Sequence, residues 1–218
     1  MARKFQIPTD PYDEGVRLYA RKDISFNPGL TTLIGCNGSG KSTLLMLLKD
    51  QFRKDPDILV MKYDDRYDGG HNLMDKMGFL DDLAGLSTMM TSSEGERIYI
   101  GLGRFIGGIR REIRRKRPKE IWILLDAVGS GLSIDKIDEI KDFANVVAED
   151  NAGIDIYFIV STNEYEFAAG TDCIDVTTFK HMTFSDYAVY RDYILETAMK
   201  KDKRFKKLEA NSHRKHDP

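Results

Sequence analysis

The sequence predicts an α/β domain in which a mainly parallel sheet is flanked by helices, with a small antiparallel β part at its N-terminal end. Two observations carry that expectation. Short apolar runs rich in β-branched residues alternate with helical patterns along most of the chain, the arrangement that packs helices on the faces of a sheet. In addition, a glycine-rich loop at 35–43 stands between the apolar run TTLI and a helical stretch, which is the strand–loop–helix context of a phosphate-binding turn.

The composition sets limits on what the chain is. Its 218 residues are about one domain long, and 41% hydrophobic with 31% charged residues is the balance of a soluble globular protein rather than a disordered one. No apolar run approaches the roughly 18 residues that a membrane span needs. The opening MARKFQIPTD lacks the apolar segment of a secretory signal. Cys36 and Cys173 make neither a disulfide framework nor a zinc cluster. A cytoplasmic protein with no membrane contact is expected.

The elements follow in order. Residues 4–7 and 17–26 read as the N-terminal strands, and 31–34 as the strand entering the glycine-rich loop. A helix is expected over 41–54 and a strand, ILVMKY, over 58–63. The section 66–91 is rich in glycine and aspartate, then in methionine and leucine. It reads as a loop with one or two short helices, Met74, Met77, Met89 and Met90 serving packing.

Over 94–117 the period is helical: Ile98, Leu102, Phe105, Ile109 and Ile113 form one stripe toward the sheet, and Pro118 stops the helix. Arg104, Arg110, Arg111, Arg114 and Arg115 fall on the other side, either a solvated face or a contact for nucleic acid or a partner. Strands at 121–125, 154–160 and 173–176 and helices at 134–149 and 185–204 complete the pattern. The whole chain, 1–218, is expected to be a single domain, 66–117 being a short helical insert with the helix that follows it. Residues 200–218 carry eight lysines and arginines against three acids, although the chain's net charge is −2. This basic tail is either an interaction arm, suited to nucleic acid or an effector protein such as a nuclease, or a frayed and solvated end.

The chemistry is concentrated in GCNGSGKST, which matches G-x-x-x-x-G-K-[ST]. Gly35, Gly38 and Gly40 let the backbone curl so that its N–H groups point at phosphate oxygens, with Asn37, Ser39 and Thr43 as the polar members of the cradle. Lys41 is placed to reach the terminal phosphates, and the Ser42 hydroxyl to ligate Mg²⁺. The positive end of the following helix adds to both. Asp126 ends the apolar strand IWILL and is expected to hold the Mg²⁺ water shell opposite Ser42. ATP with Mg²⁺ is the expected ligand. Cys36 occupies a variable position of the loop.

A second motif narrows the class. Ser93-Glu94-Gly95-Glu96 stands just before the long helix that leads into the Asp126 strand, and Ser130-Gly131-Leu132 follows that strand. The order of cradle, Ser-x-Gly motif, aspartate strand, Ser-Gly-Leu loop and a further strand ending in FIVST resembles the ABC-type ATPases, over roughly 31–162. The resemblance implies a P-loop NTPase fold and a nucleotide sandwich. In it two protomers pack head to tail, and Ser93 and Gly95 of one contact the γ-phosphate held by Lys41 of the other, with 130–132 along the dimer contact. Ser93 also reads as a plain helix cap closed by Glu96.

Four positions depart from that pattern. Ala127 follows Asp126 where the family carries a glutamate, and Asn163 stands at the switch position where it carries a histidine. Glu94 replaces the first glycine of the Ser-x-Gly motif, and Ser133 ends the Ser-Gly-Leu loop in place of aspartate. No glutamine follows the first helix, so Asp64 or Asp65 is a candidate to line the metal site. The short helical section resembles small soluble ABC-type ATPases of bacteria and phages, related to chromosome-maintenance and repair heads rather than to transporter subunits.

The resemblance then implies catalytic roles for Lys41, Asp126, Asn163 and Ser93, and a slow hydrolase that dimerises on ATP to control a partner in DNA processing or in phage or defence biology. Glu164, Asp64, Asp65 or Glu94 is left to replace the missing carboxylate. A non-hydrolysing ATP-sensing scaffold is the alternative, with a small P-loop kinase behind it. Tyr12 or Tyr19 is a candidate to stack on the base, or else packs on the N-terminal sheet.

Overall fold

The computed structural model describes residues 2–13, 17–53, 55–64, 68, 93–151 and 153–215. Asp65, the section 66–91 apart from Asp68, with its four methionines, and the Glu94 side chain lie outside the described residues. The strands are β1 (Arg3–Gln6), β2 (Asp23–Phe26), β3 (Gly29–Ile34), β4 (Ile58–Asp64), β5 (Glu120–Asp126), β6 (Asp155–Ser161), β7 (Asp172–Asp175) and β8 (Lys180–Met182). The helices among the described residues are α1 (Lys41–Phe52), α2 (Glu94–Lys116), α3 (Ile134–Asp150), α4 (Tyr165–Ala168) and α5 (Tyr187–Lys215).

The fold is mixed α/β: a six-stranded sheet in the order β4-β5-β6-β3-β7-β8, parallel except for its last pair, flanked by helices and accompanied by the small antiparallel pair β1–β2. Its apolar strands are covered on both faces, and alternate side chains of one strand therefore enter different cores. Trp122 and Leu124 of β5 join Phe5, Phe26 and the α1 residues Leu44, Leu48 and Phe52. Ile121, Ile123 and Leu125 face the other way, to Ile98, Leu102 and Ile109 of α2 and Ile137 and Ile140 of α3. Trp122 anchors the first core, stacked on Tyr157 at 4.1 Å and on Phe52 at 4.7 Å between ring centroids.

The register fixes where chemistry can occur. Leu33 of β3 is level with Ser161 of β6, Ser161 with Asp126 of β5, and Asp126 with Asp64 of β4. Four adjacent parallel strands thus end along one line, and the loops leaving them share one edge, where open α/β sheets place their ligands.

Several boundaries differ from the sequence expectation. The second strand starts at Asp23 rather than at 17, because residues 18–20 are tied elsewhere. The amides of Leu18 and Tyr19 donate to the Thr9 carbonyl, and the amide of Ala20 donates to the carbonyl of Thr177. The short elements β8 and α4 were not expected. The last helix runs to Lys215 instead of stopping at 204, so the backbone of the basic tail is helical rather than frayed over that stretch.

Candidate active site

The loop after β3 turns into α1 at Gly40, whose φ of 100° is the left-handed conformation that glycine adopts without strain. Tyr19, fully buried, supports the turn from below by donating its hydroxyl to the Gly40 carbonyl at 2.8 Å. Lys41, the first residue of α1, folds back over the loop. Its ammonium donates to the Gly35 carbonyl, to the Cys36 carbonyl at 3.3 Å and to Asn163 Oδ1 at 2.9 Å. Burial lowers its pKa to about 8, against the opposing pull of Cys36 and Asp126.

Above this loop lies a cavity of about 750 Å³, lined by Asn37, Gly38, Ser39, Gly40, Ser42 and Thr43 as well as Lys41. That volume lies within the range of small-molecule sites. Gly35 stands behind the lining and contributes its carbonyl.

At the start of α1 the Ser42 hydroxyl donates to Asp126 Oδ1 at 2.9 Å. Asp126 is fully buried at the end of β5. A hydroxyl and a carboxylate oxygen side by side are hard oxygen donors, and Mg²⁺ takes one or two such protein ligands while phosphates and water fill the rest of its shell. The pair therefore fits Mg²⁺ as nucleotide-binding loops hold it. The other oxygen of Asp126, Oδ2, is paired with the Lys62 ammonium at 2.9 Å. Lys62 also reaches Asp64 Oδ2 at 3.2 Å, so Asp64 is an ion-pair partner at this edge of the site.

The facing wall comes from the loops after β5 and β6. Ala127 follows Asp126 with a φ of 57°, a left-handed conformation that is strained for alanine. Gly129 is required where it stands. Its φ is 119°, and a Cβ there would come within 2.8 Å of Glu164 Cγ and 2.9 Å of Thr162 Oγ1. Glu164 thus lies across the 127–130 turn and lines the cavity. Burial, with a smaller contribution from Glu166, raises its pKa. Asn163 uses both ends of its amide: Oδ1 accepts from Lys41, and Nδ2 donates to Asn37 Oδ1 at 2.6 Å. Lysine can only donate, which sets that orientation. The Asn163 backbone is held by the Tyr190 hydroxyl on α5, donating to its carbonyl at 2.8 Å.

Ser93 and Gly95 lie outside the cavity of their own chain. Ser93 caps α2 in a full capping box: its Oγ accepts from the Glu96 amide at 3.3 Å, and its own amide donates to Glu96 Oε2 at 2.7 Å. Gly95 packs directly against the Gly131 carbonyl, leaving no room for a Cβ. Of the two tyrosines, Tyr19 is structural, whereas Tyr12 is exposed at the cavity wall with its hydroxyl 2.7 Å from Thr43 Oγ1.

Sequence reasoning missed two cations. Lys201 on α5 donates to the Asn37 carbonyl at 2.9 Å, a contact across the chain that no local pattern announces. Lys62 had a signal: it lies two residues before Asp64 in ILVMKYDD, hence on the same face of a strand.

The family model described as AAA domain matches residues 14–50, which include β2, β3, the 35–43 loop and most of α1. No curated protein sequence matches the chain. Among solved structures, cbiO1 from Clostridium perfringens, described as part of the ABC transporter complex cbiONQ, is similar over 82% of this chain and 84% of its own, with 14% identity and a TM-score of 0.45. Among the described residues, no helix is long and apolar enough to cross a membrane.

Proposed function

We propose that this chain is an ABC-type ATPase that binds Mg²⁺·ATP in the cavity above the 35–43 loop, dimerises around it, and hydrolyses it slowly to control a partner. The observation that carries the reading is the Ser42–Asp126 contact of 2.9 Å beside the cradle, which joins the loop leaving β3 to an aspartate suited to a metal at the end of β5, two strands away in the sheet.

Backbone amides of the loop and Lys41 bind the β- and γ-phosphates, and Tyr12 at the cavity wall is placed to cover the base. To admit the γ-phosphate, Lys41 exchanges its Asn163 contact for phosphate oxygens, and Asn163 turns its amide N–H to the same group. Mg²⁺, held by Ser42 and Asp126, supplies charge neutralisation of the phosphates. With Ala127 in place of a carboxylate, Glu164 is the group on the facing wall suited to take a proton from the attacking water. The water oxygen bonds to the γ-phosphorus as the bond to the ADP oxygen breaks, and the proton passes to Glu164. Positioning and electrostatics provide most of phosphoryl-transfer catalysis, and a misplaced base costs about 10²–10⁴-fold. Slow turnover follows.

Ser93 and Gly95 complete the site from a second copy, the Ser93 hydroxyl proton and the positive end of the helix being suited to a terminal phosphate. Light scattering with a non-hydrolysable ATP analogue tests the assembly. The mass doubles in the parent and stays monomeric in Ser93→Arg; an unchanged parent mass refutes the sandwich. The exposed lysines of α5 and the arginine face of α2 are the surfaces for nucleic acid or an effector such as a nuclease. Retention on DNA at low salt that falls in Lys203→Glu/Lys206→Glu supports the first, because phosphate contacts weaken steeply with salt.

A further inference from the structure

The Lys62 contact is unusual for a group this close to a magnesium seat, and nothing in the mechanism above uses it. Three features place it there. The two-residue period of β4 puts Lys62 and Asp64 on one face, the face toward α1. The β4–β5 register sets Asp64 level with Asp126. The Lys62 side chain, only 16% exposed, then reaches Oδ2 of both acids, at 2.9 Å for Asp126 and 3.2 Å for Asp64. Asp126 is thereby divided between its two oxygens: Oδ2 faces an ammonium, and Oδ1 faces the Ser42 hydroxyl at 2.9 Å.

We infer that Lys62 is a positioning and metal-selecting residue: its fixed ammonium occupies the edge between Asp64 and Asp126, turns Asp126 Oδ1 toward Ser42, and keeps the acid pair from taking a divalent ion of its own. Two carboxylates on adjacent strand ends otherwise offer the hard oxygen donors that Mg²⁺ and Mn²⁺ accept. A lysine ammonium is a compact charge with three donors, enough to serve both acids without supplying a coordination site. Contacts of 2.9 Å to Asp126 and 3.2 Å to Asp64 hold the ammonium on this edge. A divalent ion then enters this edge only with the nucleotide, on the Ser42 side. That last step rests on the ATPase reading; the exclusion of metal by Lys62 does not.

The test therefore uses Mn²⁺ alone, without nucleotide, on the full-length protein, with free Mn²⁺ read by its electron paramagnetic resonance signal. Lys62→Met is expected to bind one Mn²⁺ per chain at least about tenfold more tightly than the parent, because a second carboxylate no longer held by the Lys62 ammonium contributes well over about 1.4 kcal/mol to a divalent ion at contact distance. Lys62→Arg stays at the parent level, and adding Asp64→Asn to Lys62→Met removes the gain. A folded Lys62→Met that binds Mn²⁺ no better than the parent overturns the inference. A purely structural lysine predicts that result, with melting temperature lowered and metal binding unmoved. Should Lys62→Met not fold, Lys62→Gln, which keeps N–H donors and removes the charge, carries the same expectation and the same refutation. Unchanged ATP affinity in Lys41→Ala would sink the nucleotide reading and leave the Mn²⁺ result standing.

Discussion

On the cavity wall formed by the 35–43 loop, the groups placed to meet a phosphate are held by backbone: a turn at Gly40 propped by the Tyr19 hydroxyl, and Lys41 anchored on the Gly35 and Cys36 carbonyls. On the facing wall they are side chains on irregular turns. Ala127 is strained, Gly129 has no room for a Cβ, and Asn163 and Glu164 project from the loop after β6. The difference is instructive. A wall made of main chain tolerates little change, because its amides are aimed by the loop's own conformation. A wall made of side chains can lose one carboxylate at 127 and gain another at 164 without altering the fold. On the proposed reading, binding and hydrolysis are separable, one on each wall.

The largest expected effect comes from the binding wall. Lys41→Ala removes the ammonium from two phosphates, and two charge-assisted hydrogen bonds at about 1.5–3 kcal/mol each amount to about 10³-fold in ATP affinity. Calorimetry should find that loss with the far-ultraviolet dichroism unchanged. Equal affinity in mutant and parent would remove the cradle from the site.

On the facing wall the effect is smaller and falls on turnover alone. Glu164→Gln should lower ATP hydrolysis on the order of 10²-fold, the low end for a lost general base, with ATP affinity near that of the parent. Its raised pKa gives a sign: the base works ionised, so parental turnover rises with pH through a value above the usual carboxylate range, and the rise vanishes in Glu164→Gln. Ala127→Glu should raise turnover in the parent. If Glu164→Gln and the parent turn over equally and Ala127→Glu gains nothing, hydrolysis does not pass through this wall.

The two walls also differ in how far the sequence reveals them. The loop motif is local, and strand, glycines and helix all lie within 31–54, so its cradle was legible. Asp126 was legible for the same reason, as the polar end of IWILL, and the α2 stripe through Ile98, Leu102 and Ile109 followed from its period. The rest depends on long-range pairing. That Lys62 meets Asp126 follows from the β4–β5 register, and that Glu164 lies over Gly129 follows from two loops meeting. The segment 17–22 reads as strand but is not, because its apolar Leu18 and Tyr19 pack against the 35–43 loop at Gly40 instead of joining a sheet. Local pattern cannot distinguish those uses.

A third variant sharpens the contrast from within the facing wall. Gly129→Ala places a methyl group against Glu164 Cγ and Thr162 Oγ1 at 2.8 and 2.9 Å, on a backbone of φ 119°. Overpacking of this kind costs about 1–3 kcal/mol. Thermal unfolding should show that loss, and turnover should fall through displacement of Glu164 while nucleotide affinity holds. A variant that loses ATP binding instead would show that the walls are mechanically coupled.

The smallest expected effect separates the two roles of Ser93. As the cap of α2 its hydroxyl satisfies the Glu96 amide, and losing such a cap costs about 1 kcal/mol, so Ser93→Ala should lower the melting temperature by a few degrees. The Glu96 carboxylate, which the Ser93 backbone amide and then its side chain hold below the usual carboxylate range, adds a pH signature. Its folded pKa is depressed, so the capping box contributes stability above the unfolded carboxylate pKa and loses it as pH falls through the folded value. Ser93→Ala weakens that acid-side loss, because one of the two interactions holding Glu96 ionised is gone. If Ser93 only caps the helix, the analogue-induced dimer of Ser93→Ala forms at the parent's protein concentration. If its hydroxyl also meets the γ-phosphate across the dimer, the midpoint moves several-fold higher, beyond what a loss of about 1 kcal/mol confined to folding can transmit to association. Light scattering against protein concentration, run beside the melt, decides between them.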